Sequence, residues 1–80
     1  MRYITTADGQ AYDDVQDPSE LITRIRAGDS SKKAITNDEE YMRVMRHRMK
    51  ITAGEELRID TAENFVADLI RIGFLKTEDD

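Results

Sequence analysis

Each of the four glycines in this 80-residue chain closes a local structural signal, and together they set out the order of elements. Gly28, Gly54 and Gly73 each end a run whose apolar residues recur at helical spacing. Glycine leaves a helix through the left-handed region without a Cβ clash, so it is the natural stop. Each run also opens on a start signal. Asp17 precedes Pro18 and has Glu20 three residues on; Thr36 or Asn37 is followed by Glu39 or Glu40; Asp60 is followed by Glu63. Such pairs form capping boxes, which satisfy backbone donors that have no partner inside the helix. The fourth glycine lies in Ala7-Asp8-Gly9-Gln10, an Asp-Gly turn signal between two short β-forming stretches.

The first helix carries a narrow stripe of Leu21, Ile22 and Ile25, and Asp29-Ser30-Ser31-Lys32-Lys33 follows as a polar loop. The second is expected to run to Ile51 or Thr52. Tyr41, Met42, Val44, Met45, Met49 and Ile51 fill one broad half of it, and Arg43, Arg46, His47 and Lys50 the other. Arg48 projects from the apolar half, so it must snorkel past the helix end or meet a carboxylate. The third helix collects Ala62, Phe65, Val66, Leu69, Ile70 and Ile72 on one side, and Phe74 sits where a Schellman cap packs back near Leu69.

Two regions read as strands. Arg2–Thr6 and Gln10–Asp13 form the hairpin; with Asp8 and Gly9 as the loop, Thr5 faces Tyr12 and Thr6 faces Ala11. Tyr3, Thr5 and Tyr12 then share one face and Ile4, Thr6 and Ala11 the other, and alternation alone does not choose the buried one. Glu55 to Asp60 alternates, which predicts a short third strand over Leu57–Ile59. The expected fold is a single α+β domain over residues 1–76 in the order ββααβα, with 77–80 as a frayed acidic tail. The alternative is a mostly helical domain with a loose hairpin.

Charge is unevenly spread. Residues 42–50 hold Arg43, Arg46, Arg48 and Lys50 with no acid, while the other eight cations face seventeen acids, leaving −9. An acidic body argues against non-specific nucleic-acid binding by the whole domain. The absence of cysteine removes disulfides and thiolate zinc sites and fits a reducing, cytoplasmic setting. No apolar run approaches the ~20 residues of a membrane span, and Met1 to Thr6 lack a secretory apolar stretch.

Catalytic chemistry has few candidates. Ser19, Ser30 and Ser31 have no base motif beside them, and the single histidine, His47, lies on a basic ridge between arginines. Asp13, Asp14 and Asp17 are clustered, but without the glycine and terminal glutamate of a calcium loop they read as a capped acidic turn. No glycine-rich phosphate loop or other cofactor motif is present. The expectation is a binding protein with no cofactor rather than an enzyme. The residues marked for partner contact are Asp13, Asp14 and Asp17 on the acidic turn and Arg43, Arg46, His47 and Lys50 on the ridge. The methionine stripe of Met42, Met45 and Met49 is expected in the core, with a homodimer contact as its other use.

The run from Glu55 to Leu75 (EELRIDTAENFVADLIRIGFL) resembles the ends of small uncharacterised phage and mobile-element proteins, and the opening Tyr3 to Tyr12 resembles their starts. That resemblance implies a context in which small acidic proteins antagonise host machinery, anti-CRISPR proteins among them, and it carries over no functional residue. It points to a host protein or protein–nucleic-acid complex as partner, inhibited by occlusion, with the acidic turn meeting a basic groove. The alternative is a small DNA-binding regulatory protein using the basic ridge.

Overall fold

Local capping chemistry builds the helices where the start signals stand. The computed structural model describes residues 2–6, 9–28 and 35–78. Helix α1 spans Pro18–Gly28, α2 Asp38–Ala53 and α3 Ala62–Arg71. At α1 the Asp17 carboxylate accepts the Glu20 amide at 2.8 Å, and Glu20 reaches back to the Gln16 amide at 3.2 Å. Asn37 caps α2 by accepting the Glu40 amide at 2.8 Å. The third cap is Thr61 rather than the expected Asp60: its hydroxyl accepts the Asn64 amide at 3.1 Å. Asp60 and Glu63 do not form the box, because Asp60 accepts the Asn64 side-chain amide instead. That hydrogen bond, against a smaller opposing effect of burial, holds the Asp60 carboxyl below its usual range.

Strand β1 spans Arg2–Thr5, β2 Ala11–Tyr12 and β3 Leu75–Glu78, in the antiparallel order β2-β1-β3. The class is α+β as expected, with three helices on a three-stranded sheet, but the order is ββαααβ. The third strand is not Leu57–Ile59, and Thr77 and Glu78 belong to the sheet rather than to a frayed tail. The cause lies at the end of α3. Gly73, at φ 84°, reverses the chain, with its amide on the Ile70 carbonyl at 3.1 Å and the Phe74 amide on Leu69 at 2.9 Å. Those two bonds are the expected Schellman cap. The reversal delivers Leu75 opposite Thr5, where the Thr6 amide donates to the Phe74 carbonyl at 2.9 Å and the Thr6 hydroxyl to the Gly73 carbonyl at 2.6 Å.

The hairpin register also differs. Tyr3 pairs with Tyr12 and Ile4 with Ala11, two residues from the expected pairing, because the turn closes on Thr5: its carbonyl accepts the Gly9 amide at 2.9 Å and its amide donates to the Gln10 carbonyl at 3.0 Å. A two-residue shift keeps every side chain on its face. Tyr3, Thr5 and Leu75 turn inward and are buried, which resolves the choice that alternation left open. Ala7 and Asp8 of the expected turn, the 29–33 loop and residues 79–80 lie outside the described residues.

The core joins Tyr3, Val15 and Leu75 to Leu21, Ile22 and Ile25 of α1, Tyr41 and Met45 of α2, Leu57, and Phe65, Val66 and Leu69 of α3. Met42 and Met49 pack on it half-buried, so the methionine stripe is core packing. The apolar half of α2 is narrower than its sequence suggests. Ile51 is 69% exposed, and Arg48 is exposed with no ion pair among the described residues. At the far end of α2, Asp38 takes the Arg26 guanidinium at 2.8 Å and the Thr23 hydroxyl, tying α1 to α2. Burial pushes the Asp38 carboxyl up, but Thr23 and Arg26 together outweigh it and hold the pKa below the usual value. Asp14 adopts a left-handed φ of 60°, a conformation Asp tolerates better than most side chains.

Placing Leu75 in the core makes a quantitative claim about the C-terminal strand. Leu75→Ala is expected to lower the unfolding free energy by about 2–4 kcal/mol in urea titration. A loss below about 0.5 kcal/mol, the level of a surface change, would return this segment to a frayed tail.

Candidate functional site

The extended segment between α2 and α3 alternates as its sequence does: Leu57 is buried, Ile59 half-buried, Arg58 and Asp60 exposed. Among the described residues it pairs with no strand. Its backbone is held instead by Asp68, a carboxylate on the core face of α3 beside Phe65 and Leu69. Asp68 is 4% exposed. Its Oδ2 accepts the Arg58 amide at 2.9 Å and Arg58 Nε at 3.0 Å, and its Oδ1 accepts Arg58 Nη2 at 3.0 Å. Arg71, one turn along α3, adds Nε at 3.5 Å. The remaining nitrogens of Arg71 donate to Glu55 Oε2 at 3.3 Å and to the Glu56 carbonyl at 3.2 Å. A two-point guanidinium grip plus a backbone amide is the geometry in which a buried carboxylate is stable as an anion.

These hydrogen bonds, the Arg58 side chain first and its amide second, outweigh desolvation and hold Asp68 at a pKa of about 2. The reciprocal effect of Asp68 raises the Arg58 guanidinium above its ordinary value. Asp68 is therefore ionised at neutral pH, with both oxygens engaged by Arg58.

Next to this cluster α2 runs with Arg46, His47 and Lys50 facing the segment. A groove of about 890 Å³ opens between them, lined by Arg46, His47, Lys50, Glu56, Leu57, Arg58, Asp68 and Arg71. With His47 neutral, four cations and two acids give this lining a charge of +2, in a chain whose total is −5. Arg46 and His47 form no ion pair among the described residues, and Lys50 reaches Glu56 only at 3.8 Å, with both side chains largely exposed.

Of the residues marked from sequence, the structure brings Arg46, His47 and Lys50 together. Arg43 lies outside the groove and pairs with Glu39 one turn back, as the i,i+4 spacing predicts. The acidic turn does not form a free patch. Asp17 is occupied as the cap of α1, and Asp13 meets Arg2 at 3.0 Å across the open face of the sheet, where Arg2 also holds Glu78 at 3.3 Å. Asp14 alone of the three has no side-chain partner among the described residues. Arg58, Asp68 and Arg71 were missed. The signal for them was a charged residue at a core-facing helix position, since Phe65, Asp68, Leu69 and Ile72 follow i, i+3, i+4, i+7 spacing and a buried carboxylate demands a cationic partner.

Among the described residues no group of three or more His, Asp and Glu side chains is placed to hold a metal ion, and no helix is long and apolar enough to cross a membrane. No protein-family model, curated protein or solved structure matches the chain.

The cluster carries a pH signature. Because the folded pKa of Asp68 is lowered, its contribution is full above the unfolded value near 4 and is lost as pH falls toward 2. Between pH 4 and 2 the wild-type protein should lose about 1–2 kcal/mol more stability than Asp68→Asn, the figure being discounted for the half-exposed arginines. At pH 7 Asp68→Asn should itself be less stable by about 2–3 kcal/mol. Parallel acid limbs for the two proteins in urea titrations would contradict this account.

Proposed function

We propose that this chain is a small interaction protein that acts by binding, and that its contact surface is the basic groove between α2 and the 55–59 segment. The observation that carries the reading is the convergence of Arg46, His47, Lys50 and Arg58 on one groove of an otherwise acidic chain. Exposed cations gathered on one surface attract an anionic partner, raise its association rate and disfavour cationic competitors.

The resemblance of the Tyr3–Tyr12 and Glu55–Leu75 stretches to phage and mobile-element proteins supports a cytoplasmic partner within a host nucleic-acid machine, such as a CRISPR complex. Its inhibition by occlusion is part of this proposal. Contact through Asp13, Asp14 and Asp17 has weaker support, since two of those carboxylates would first have to leave Arg2 and the α1 cap. Direct DNA binding by a regulatory protein is the second reading, favoured by the same cations; it requires affinity that falls steeply with salt.

Immobilised wild-type protein is expected to retain a host partner from lysate. The Arg46→Glu, Lys50→Glu double variant should weaken that interaction by at least about tenfold, while Asp13→Asn with Asp14→Asn should leave it unchanged. The reverse pattern would move the contact to the acidic turn.

A further inference from the structure

We propose that the occupant of the groove is an acidic peptide segment of the partner, and that Arg58, held in place by Asp68, reads one of its carboxylates. This rests on the groove being the contact surface and goes on to name what the groove takes.

Arg58 is the preorganised element. Asp68 engages one edge of its guanidinium through Nε and Nη2. Nη1 makes no hydrogen bond among the described residues, and the side chain is 57% exposed. Arginine presents its donors in a rigid plane, so gripping one edge fixes the direction of the other and reduces the ordering cost when a carboxylate arrives. Arg71 lacks this freedom, because all three of its guanidinium nitrogens donate to protein acceptors. Arg46 and Lys50 stand across the groove on α2; among the described residues Arg46 forms no ion pair and Lys50 only the 3.8 Å contact with Glu56.

The surroundings favour a short anionic peptide over nucleic acid. Outside the eight lining residues the chain carries fifteen acids against eight cations, a charge of −7. A duplex bears a charge about every 1.7 Å along its axis and would run from the groove onto that acidic surface. A peptide of a few residues confines its charge to the groove. No Phe, Tyr or Trp lines the groove, so base stacking there would fall to His47 and the arginines alone, whereas the aliphatic stems of Lys50 and the arginines suit peptide side chains. Glu56 on the lining is tolerable beside spaced carboxylates and repels a continuous run of phosphates.

The test is fluorescence anisotropy with the full chain at one moderate salt concentration. The probes are a labelled ten-residue peptide rich in Asp and Glu, its Asn/Gln counterpart, a short single-stranded DNA and a short duplex. The acidic peptide should bind and its amide counterpart should not, and both DNAs should bind more weakly than the acidic peptide. Arg46→Glu with Lys50→Glu should weaken peptide binding at least tenfold. Arg58→Lys, which keeps the charge and loses the planar fork, should weaken it similarly; far-UV circular dichroism confirms that each variant is folded. Should Arg58→Lys fail to fold, the α2 double variant and the amide peptide still decide the occupant. Wild-type affinity in a folded Arg58→Lys protein would overturn the role of Arg58. DNA binding tighter than the peptide, and lost in the α2 double variant, would overturn the peptide and leave the groove as the contact. Absence of any anion binding, or binding indifferent to the groove substitutions, would overturn both.

Discussion

Asp68 sits as an anion on the face of α3 that otherwise packs Phe65, Val66 and Leu69 into the core. An ionised carboxylate out of water is costly unless charge-assisted hydrogen bonds replace its hydration. Arg58 replaces it with an amide and two guanidinium nitrogens, and Arg71 adds a weaker fourth contact. The consequence reaches well beyond the pair. The Arg58 amide ties residues 55–59 to α3, with Leu57 in the core, while α2 ends on its own left-handed Gly54, where the Glu55 amide donates to the Met49 carbonyl. Arg58 and Asp68 line the groove on this side.

Most other charges are used locally. Glu20 completes the α1 cap and pairs with Arg24, Glu39 pairs with Arg43, and Asp38 ties α2 to α1 through Arg26 and Thr23. Arg2 bridges Asp13 and Glu78 across the three strands of the open sheet face. Such exposed pairs individually contribute little to stability, about 0–1 kcal/mol, but they account for the acids and cations they join. Arg46 and His47 stand outside this bookkeeping, and Lys50 is only loosely engaged. Their position on the groove is what separates them from an ordinary solvated helix face.

The candidate site was half legible in the sequence. The α2 residues were visible because helical periodicity places Arg46, His47 and Lys50 on one side, and nothing outside the helix is needed to see it. The opposite wall was hidden. Arg58 looked like the solvent-facing member of an alternating strand, and Asp68 like one acid among many, because their pairing spans ten residues and depends on how the 55–59 segment lies against α3. The acidic turn erred in the other direction. Asp13, Asp14 and Asp17 stand close in sequence, yet the fold spends Asp17 on a cap and sends Asp13 to a different strand's arginine.

By itself the sequence determined the local structures: three helices, with left-handed glycine exits at Gly54 and Gly73, the Schellman reversal at Gly73 and Phe74, the hairpin and its two faces, and the methionines as core residues. All of these follow from interactions within a few residues, such as caps, backbone conformation and apolar periodicity. Only the tertiary structure decided which extended segment became the third strand. The better alternating segment, 55–60, lost that place because Asp68 claims the Arg58 amide, while Leu75–Glu78, with one buried apolar residue, gained it because the Gly73 reversal delivers it beside β1. The hairpin register, two residues from the expected one, follows from the turn closing on Thr5 through the Gly9 and Gln10 backbone. Strand partnership and buried-charge pairing are long-range choices, set by which backbone and side-chain groups the chain brings together.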